Sequence, residues 1–205
     1  MATKTENLQL WKWAKTDPVD VEQINDNFGK VDTYLGKNGV LEKVAEFTVQ
    51  SAAAEVDFNL SSLNLSSYSA IQLYFDLKFA DVDEEKIIAP DIKFNDGVGI
   101  YETMADNSSS LEGTNPSMSL VPGNCKPGYG IAAKIELYRC GDGIAGMFQS
   151  VGYSKNHDQM DCWIKNLLLL EISLDELNKI TIFQQGSNSN RVAANSMLRV
   201  YGVKK

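Results

Sequence analysis

The sequence predicts a mainly β chain: an N-terminal extended arm and a short coiled-coil-like helix, followed by an antiparallel β-sandwich of jelly-roll type. Three observations predict it. Apolar residues recur at every second position through most of the chain beyond residue 40; between Val21 and Leu35 they recur at steps of three and four; and clusters of Gly, Asn, Asp and Pro punctuate the alternating segments. Period two buries one face of a strand, whereas the three-four spacing lines one side of a helix.

The arm comes first. In "NLQLWKWAK", Leu8 and Leu10 fall on one side of an extended segment and Trp11 and Trp13 on the other. Two indoles beside two leucines, outside any domain core, suit a groove on a partner; the alternative is that they fold back on this chain. "DPVDVEQINDNFGKVDTYLGKNG", residues 17–39, follows. Asp17 is an N-cap, Pro18 fits the first helical position, where its missing N–H has no partner to lose, and Gly36 is the stop. Val21, Ile24, Phe28, Val31 and Leu35 form a heptad seam between polar residues such as Gln23, Asp26 and Lys30. A helix packed on a globular core shows a broader stripe. A strict seam is what a helix needs when its partner is a copy of itself, so self-association is expected, with a short cap helix as the alternative. Gly36 to Gly39 reads as a hinge, dividing the chain into a docking and oligomerisation segment, 1–39, and a β domain, 40–205.

Beyond the hinge, "YSAIQLYFDLKFAD" places Ile71, Leu73, Phe75, Leu77 and Phe79 on one face and Gln72, Tyr74, Asp76 and Lys78 on the other. That is a half-buried antiparallel strand. "AEVDFNL" alternates Val56, Phe58 and Leu60, and "GIAAKIELYRC" alternates Ile131, Ala133, Ile135 and Leu137. Further strands are expected in "EKVAEFTVQ", "PDIKFN", "VGIYETM", "SMSLV", "IAGMFQSVGYS", "CWIKNLLLLEIS", "NKITIFQQ" and "SMLRVYGVK". Turn signals at 95–97, 122–124, 127–128, 141–143 and 186–188 separate them. Roughly eight to ten strands suggest a sandwich, and the size favours a jelly roll. "SLDELN" reads as a single helical turn capped by Ser173 or Asp175.

Composition bounds the function. The net charge of −8 and pI near 4.7 supply no overall positive field for phosphate backbones or anionic lipids, so nucleic acid is not an expected partner. No apolar run is long enough to enter a bilayer, and "MATKTENLQLWKWAK" lacks a signal-peptide h-region, so synthesis and retention in the cytosol are expected unless an assembly carries the chain out. Cys125, Cys140 and Cys162 are odd in number and scattered, which fits neither a complete disulfide framework nor a zinc site; buried thiols are expected.

Four features could carry chemistry. "GDGIAG", 141–146, matches G-x-G-x-x-G, but a dinucleotide fingerprint needs a helix to begin within it; Gly-Asp-Gly between alternating strands reads as a hairpin. The acidic run Asp81, Asp83, Glu84 and Glu85 lacks the glycine and the spaced glutamate of an EF-hand loop and reads as solvated. His157 is the single histidine, in a polar loop with no nucleophile elbow beside it. No metal, cofactor or catalytic residue is therefore expected, although paired carboxylates are a three-dimensional property that one sequence does not display. Tyr101, Tyr129, Tyr153 and Trp163, in or near loops and strand ends, are the candidate sugar-stacking residues, with ordinary core and rim aromatics as the alternative.

Two segments resemble a known family. "TENLQLWKW" followed by "TDPVDVEQINDNFGKVDTYLG" resembles the start of tail and tail-fibre proteins of phages and phage-like particles infecting Gram-positive bacteria, with the match carried by Asn25, Asn27, Phe28, Val31 and Asp32. The ending Val200, Tyr201, Gly202, Val203, Lys204 and Lys205 is similar to the closing strand of tail-associated β-sandwich domains. The middle of the chain carries no such likeness. The resemblance implies a virion tail, baseplate or fibre appendage: a homotrimer contacting other tail or baseplate proteins, made in the bacterial cytoplasm, and presenting its sandwich to a host cell-surface glycan. With no repeated shaft, a compact appendage is expected rather than a long fibre. A polysaccharide-degrading tail enzyme and an architectural or capsid-decorating protein without ligand are the alternatives.

Overall fold

The computed structural model describes residues 3–4, 10–12, 21–37, 41–80, 90–104, 115–120, 130–154, 159–169, 172–184 and 191–205. Leu8, Trp13, Asp17, Pro18, the acidic run 81–85, Cys125, Tyr129 and His157 lie outside the described residues. Two short strands, β1 (Thr3–Lys4) and β2 (Trp11–Lys12), pair antiparallel and precede helix α1 (Val21–Lys37). The helix takes Gly36 into its last turn and ends one residue later than the expected glycine stop, a shift within the fraying of helix ends. On it, Asp26 and Lys30 pair one turn apart at 2.5 Å. Ile24 and Val31 are half-buried, whereas Phe28 is 70% exposed.

Apart from a single 3-10 turn at Leu65–Ser67, the remaining described elements are strands: β3 (Leu41–Thr48), β4 (Glu55–Asn59), β5 (Tyr68–Leu77), β6 (Phe79–Ala80), β7 (Pro90–Phe94), β8 (Ile100–Met104), β9 (Met118–Ser119), β10 (Ile131–Cys140), β11 (Gly143–Ser154), β12 (Gln159–Leu169), β13 (Lys179–Gln184), β14 (Arg191–Val192) and β15 (Met197–Lys204). The chain is thus mainly β, with antiparallel sheets, consistent with a β-sandwich. One sheet has seven strands in the order β3-β15-β5-β10-β11-β12-β8, and the other four in the order β4-β13-β7-β9. Within this order lie four nested antiparallel pairs: β3 with β15, β4 with β13, β5 with β10, and β7 with β9. Strands β11, β12 and β8 widen the larger sheet beyond its β10 side.

Alternation explains why the two sheets share a core. Ile71, Leu73, Phe75 and Leu77 are buried together with Ile131, Ile135 and Leu137, which the register places opposite Leu77, Leu73 and Ile71. Leu198 and Val200 continue that face on β15, and Phe58, Ile92, Phe94, Ile180 and Ile182 of the smaller sheet join the same cluster. The Phe58 ring bridges the layers, 6.4 Å from Phe75 and 6.1 Å from Phe47 between centroids. Burying each such side chain contributes about 1.5 to 3 kcal/mol.

Phe79 packs against the same core as Ile71 to Leu77, but not as part of β5. The Ser196 hydroxyl accepts the Lys78 N–H at 2.9 Å and donates to the Lys78 carbonyl at 3.2 Å, interrupting the strand, so Phe79 falls in β6 and pairs with Val192. "SLDELN" forms a hydrogen-bonded turn at 174–176, not a helix, in which the Glu176 N–H donates to the Ser173 carbonyl at 3.1 Å and the Ser173 N–H and hydroxyl both reach the Glu176 carboxylate at 2.7 and 2.9 Å. "GDGIAG" is a hairpin. Cys140 pairs with Gly143, leaving Gly141 and Asp142 as a two-residue loop whose first residue has φ 58°, the glycine position of a II′-type turn. The expectation of buried thiols fails for Cys140 and Cys162, which are exposed because both take outward positions of their strands.

Candidate functional site

The residues that alternate away from the core cover the outer face of the seven-stranded sheet. Tyr74 of β5 lies opposite Lys134 on one side and Arg199 on the other, Gln72 opposite Glu136 and Tyr201, and Asp76 opposite Ala132 and Met197. Further across, Lys134 is opposite Gln149 and Ala132 opposite Val151, which in turn faces Cys162. Five strands of the sheet therefore bring residues from four distant parts of the chain onto one surface.

One half of that surface is a polar and aromatic network. The Glu136 carboxylate accepts from the Lys134 ammonium, from the Tyr138 hydroxyl and from Gln72 Nε2 at 3.3 Å, and its side chain is only 12% exposed. Gln72 Oε1 accepts from the Tyr74 hydroxyl at 2.9 Å. The Lys134 ammonium stands 5.5 Å from the centre of the Tyr74 ring, and the Tyr201 ring meets Tyr74 edge-on at 5.4 Å. The Lys134 hydrogen bond, followed by that of Tyr138, holds the Glu136 carboxyl below the ordinary glutamate range. The same contact raises Lys134, and the Glu136 hydrogen bond raises the Tyr138 hydroxyl. These groups satisfy one another and fix the Tyr74 ring.

The other half is apolar and open. A groove of about 440 Å³ runs along β5, β10, β11 and β12, with Ala132, Val151, Cys162 and Ile164 on its apolar side and Asp76, Lys134, Gln149 and Arg199 as its polar side chains. Val151 is 37%, Ile164 42% and nearby Met160 60% exposed, which is unusual for side chains of this size on a sheet. Arg199 is engaged by Glu46 at 3.0 Å, as Lys134 is by Glu136. The side chains of Asp76 and Gln149, by contrast, make no hydrogen bond or ion pair among the described residues. A second depression, of about 470 Å³, lies where β3 passes to β4 and is lined by backbone and by polar residues such as Thr48, Gln50 and Ser51.

Of the four sugar-stacking candidates, Tyr129 lies outside the described residues, and Tyr101, Tyr153 and Trp163 take separate register positions. Tyr153 is half-buried and pairs with Met160 on the outer face. Tyr101 pairs with Leu168, which pairs with Ala145, eight positions along β11 from Tyr153. Trp163 takes the register position opposite Ser150, out of step with the outward set Val151, Cys162 and Ile164. Of the residues expected to dock, Trp11 lies in β2 and Leu10 is half-buried. Sequence reasoning did not single out Tyr74, Tyr138, Tyr201 or Glu136; their alternation was visible, but the register that gathers them was not. Among the described residues, no group of three His, Cys, Asp or Glu is placed to hold a metal ion, and no helix is long and apolar enough to cross a membrane.

The chain matches no family model, and no curated protein matches it.

Proposed function

We propose that this chain is a non-enzymatic appendage of a phage or phage-tail-like particle of Gram-positive bacteria. Residues 1–39 dock on neighbouring tail or baseplate proteins and trimerise, and residues 40–205 form a jelly roll that binds host-surface carbohydrate. The observation that carries the binding role is the outer face of the seven-stranded sheet, where a groove of small-molecule size lies beside a rigid aromatic network. Two further features support the reading. The four nested pairs follow the order expected of a jelly-roll wrap. The exposed ring of Phe28, a seam residue in this reading, leaves an apolar knob for a second helix.

A second reading, an architectural or decorating protein without ligand, draws on Met160 and Ile164, whose exposure suits a neighbouring protein surface. Co-sedimentation of the full-length protein with purified cell walls from a panel of Gram-positive bacteria separates the two. Wild-type protein is expected to pellet with some walls, and Val151→Arg, which fills the groove from an exposed position, to stay in the supernatant with unchanged circular dichroism. Equal pelleting of both proteins would take the groove out of the account. No pelleting with any wall would favour the architectural reading.

A further inference from the structure

The polar groups of the groove divide into those already satisfied and those left open. Lys134 is paired with Glu136, whereas Arg199 shares the Glu46 carboxylate with Lys43, so the one excess cation of this set is offset by the Asp76 carboxylate and the set is electrically balanced. An anionic ligand would therefore meet no net positive charge among these residues. Asp76 is acceptor-only, and its lone pairs are unfilled among the described residues, so the ligand must bring O–H or N–H donors. Gln149, equally open, presents one acceptor and two donors, the complement of an amide or a hydroxyl.

The apolar side chains narrow the ligand further. Ala132, Val151 and Ile164 are small or branched aliphatics, whereas the Tyr74 ring is already occupied by the Lys134 ammonium and the Tyr201 edge. A flat sugar face therefore finds no vacant aromatic platform inside the groove, but a methyl group finds an aliphatic wall. The size of the site also argues for a small ligand. Four strands about 4.8 Å apart and some four residues along each give a footprint of roughly 250 Å², well below the roughly 800 Å² per partner of a stable protein interface. Resting on the carbohydrate reading above, we infer that the groove takes a neutral sugar bearing an N-acyl group, its methyl against Val151 and Ile164 and its hydroxyl or amide donors on Asp76 and Gln149.

The test titrates the full-length protein calorimetrically with three trisaccharides: N-acetylchitotriose, its fully deacetylated counterpart, and cellotriose. N-acetylchitotriose is expected to bind at least about tenfold tighter than either of the others. Val151→Arg and Asp76→Asn should each weaken it, and saturation transfer should be strongest at the acetyl methyl. Equal binding of cellotriose, or tighter binding of the deacetylated trisaccharide, overturns the N-acyl inference and leaves the carbohydrate reading in place. N-acetylchitotriose binding that survives Val151→Arg overturns the assignment of the groove. Silence of all three sugars overturns the inference, and when joined to absence of cell-wall binding it removes the carbohydrate reading as well.

Discussion

Gly202→Ala is a small change with a calculable consequence. Gly202 lies buried on β15 between Glu42 of β3 and Ile71 of β5, and a Cβ built there would stand 2.2, 2.4 and 2.7 Å from three carbons of the Tyr68 ring. Its φ is not in the left-handed region, so alanine meets no backbone penalty and would, in open space, stabilise the strand by about 0.5 to 1 kcal/mol. The steric cost works against that gain. Tyr68 is only 8% exposed and packed into the core, so its ring must shift against close-packed neighbours, as in overpacked cores that lose about 1 to 3 kcal/mol. The net expectation is a loss of about 1 to 2 kcal/mol, read by urea denaturation as a lower midpoint with unchanged slope. Replacing Tyr68 by Leu removes the obstructing ring, so alanine at 202 should cost less in that background, with a coupling of at least about 1 kcal/mol in the double-mutant cycle. A stabilised Gly202→Ala, or a cycle with no coupling, would refute the reasoning. The glycine of the closing Val-Tyr-Gly-Val pattern would then owe nothing to Tyr68.

Glu136→Gln tests the network beside the groove. Because hydrogen bonds from Lys134 and then Tyr138 lower the folded pKa of Glu136 below its unfolded value, its stabilisation is complete above the ordinary glutamate value and is lost as the pH falls through the lowered folded value. The variant should therefore be less stable by about 1 to 2 kcal/mol at neutral pH and show a flatter acid limb in a plot of Tm against pH; parallel acid limbs would contradict the network. Ile24→Asp together with Val31→Asp places carboxylates in the proposed seam, where burial costs several kcal/mol. Light scattering should find that double variant monomeric with its far-ultraviolet β signal intact, and a wild-type protein already monomeric would dispose of the seam.

Much of the fold was legible because burial on one face of a strand writes itself as period two. Ile71 to Leu77, Ile131 to Leu137 and Val56 to Leu60 follow it, and turn residues such as Gly141 and Asn95, with φ 58° and 49°, mark where it breaks. The break between Leu77 and Phe79 was not legible because it is made at Lys78 by Ser196, a residue far along the chain whose hydroxyl no local pattern reveals. Cys140 and Cys162 were misjudged because composition says nothing of which face a residue takes. The candidate site was less legible than the fold. Gln72, Tyr74 and Asp76 were visible as an outward set, but their partners Lys134, Glu136, Arg199 and Tyr201 reach them only through the β10–β5–β15 register. Alternation fixes which face a side chain occupies; register alone decides its neighbours.

The most direct measurement of the central claim is amide hydrogen exchange, followed by mass spectrometry, on the full-length protein with and without soluble glycan fragments from a cell wall that it binds. Slower exchange is predicted in peptides covering 72–78, 131–137 and 147–153, the strands whose outward residues Asp76, Ala132, Gln149 and Val151 line the groove. Exchange in β4 and β13, on the opposite sheet, should stay unchanged. Protection confined to β4, β13 and the β3–β4 corner, with none on β10 and β11, would contradict the claim that the seven-stranded sheet carries the binding face.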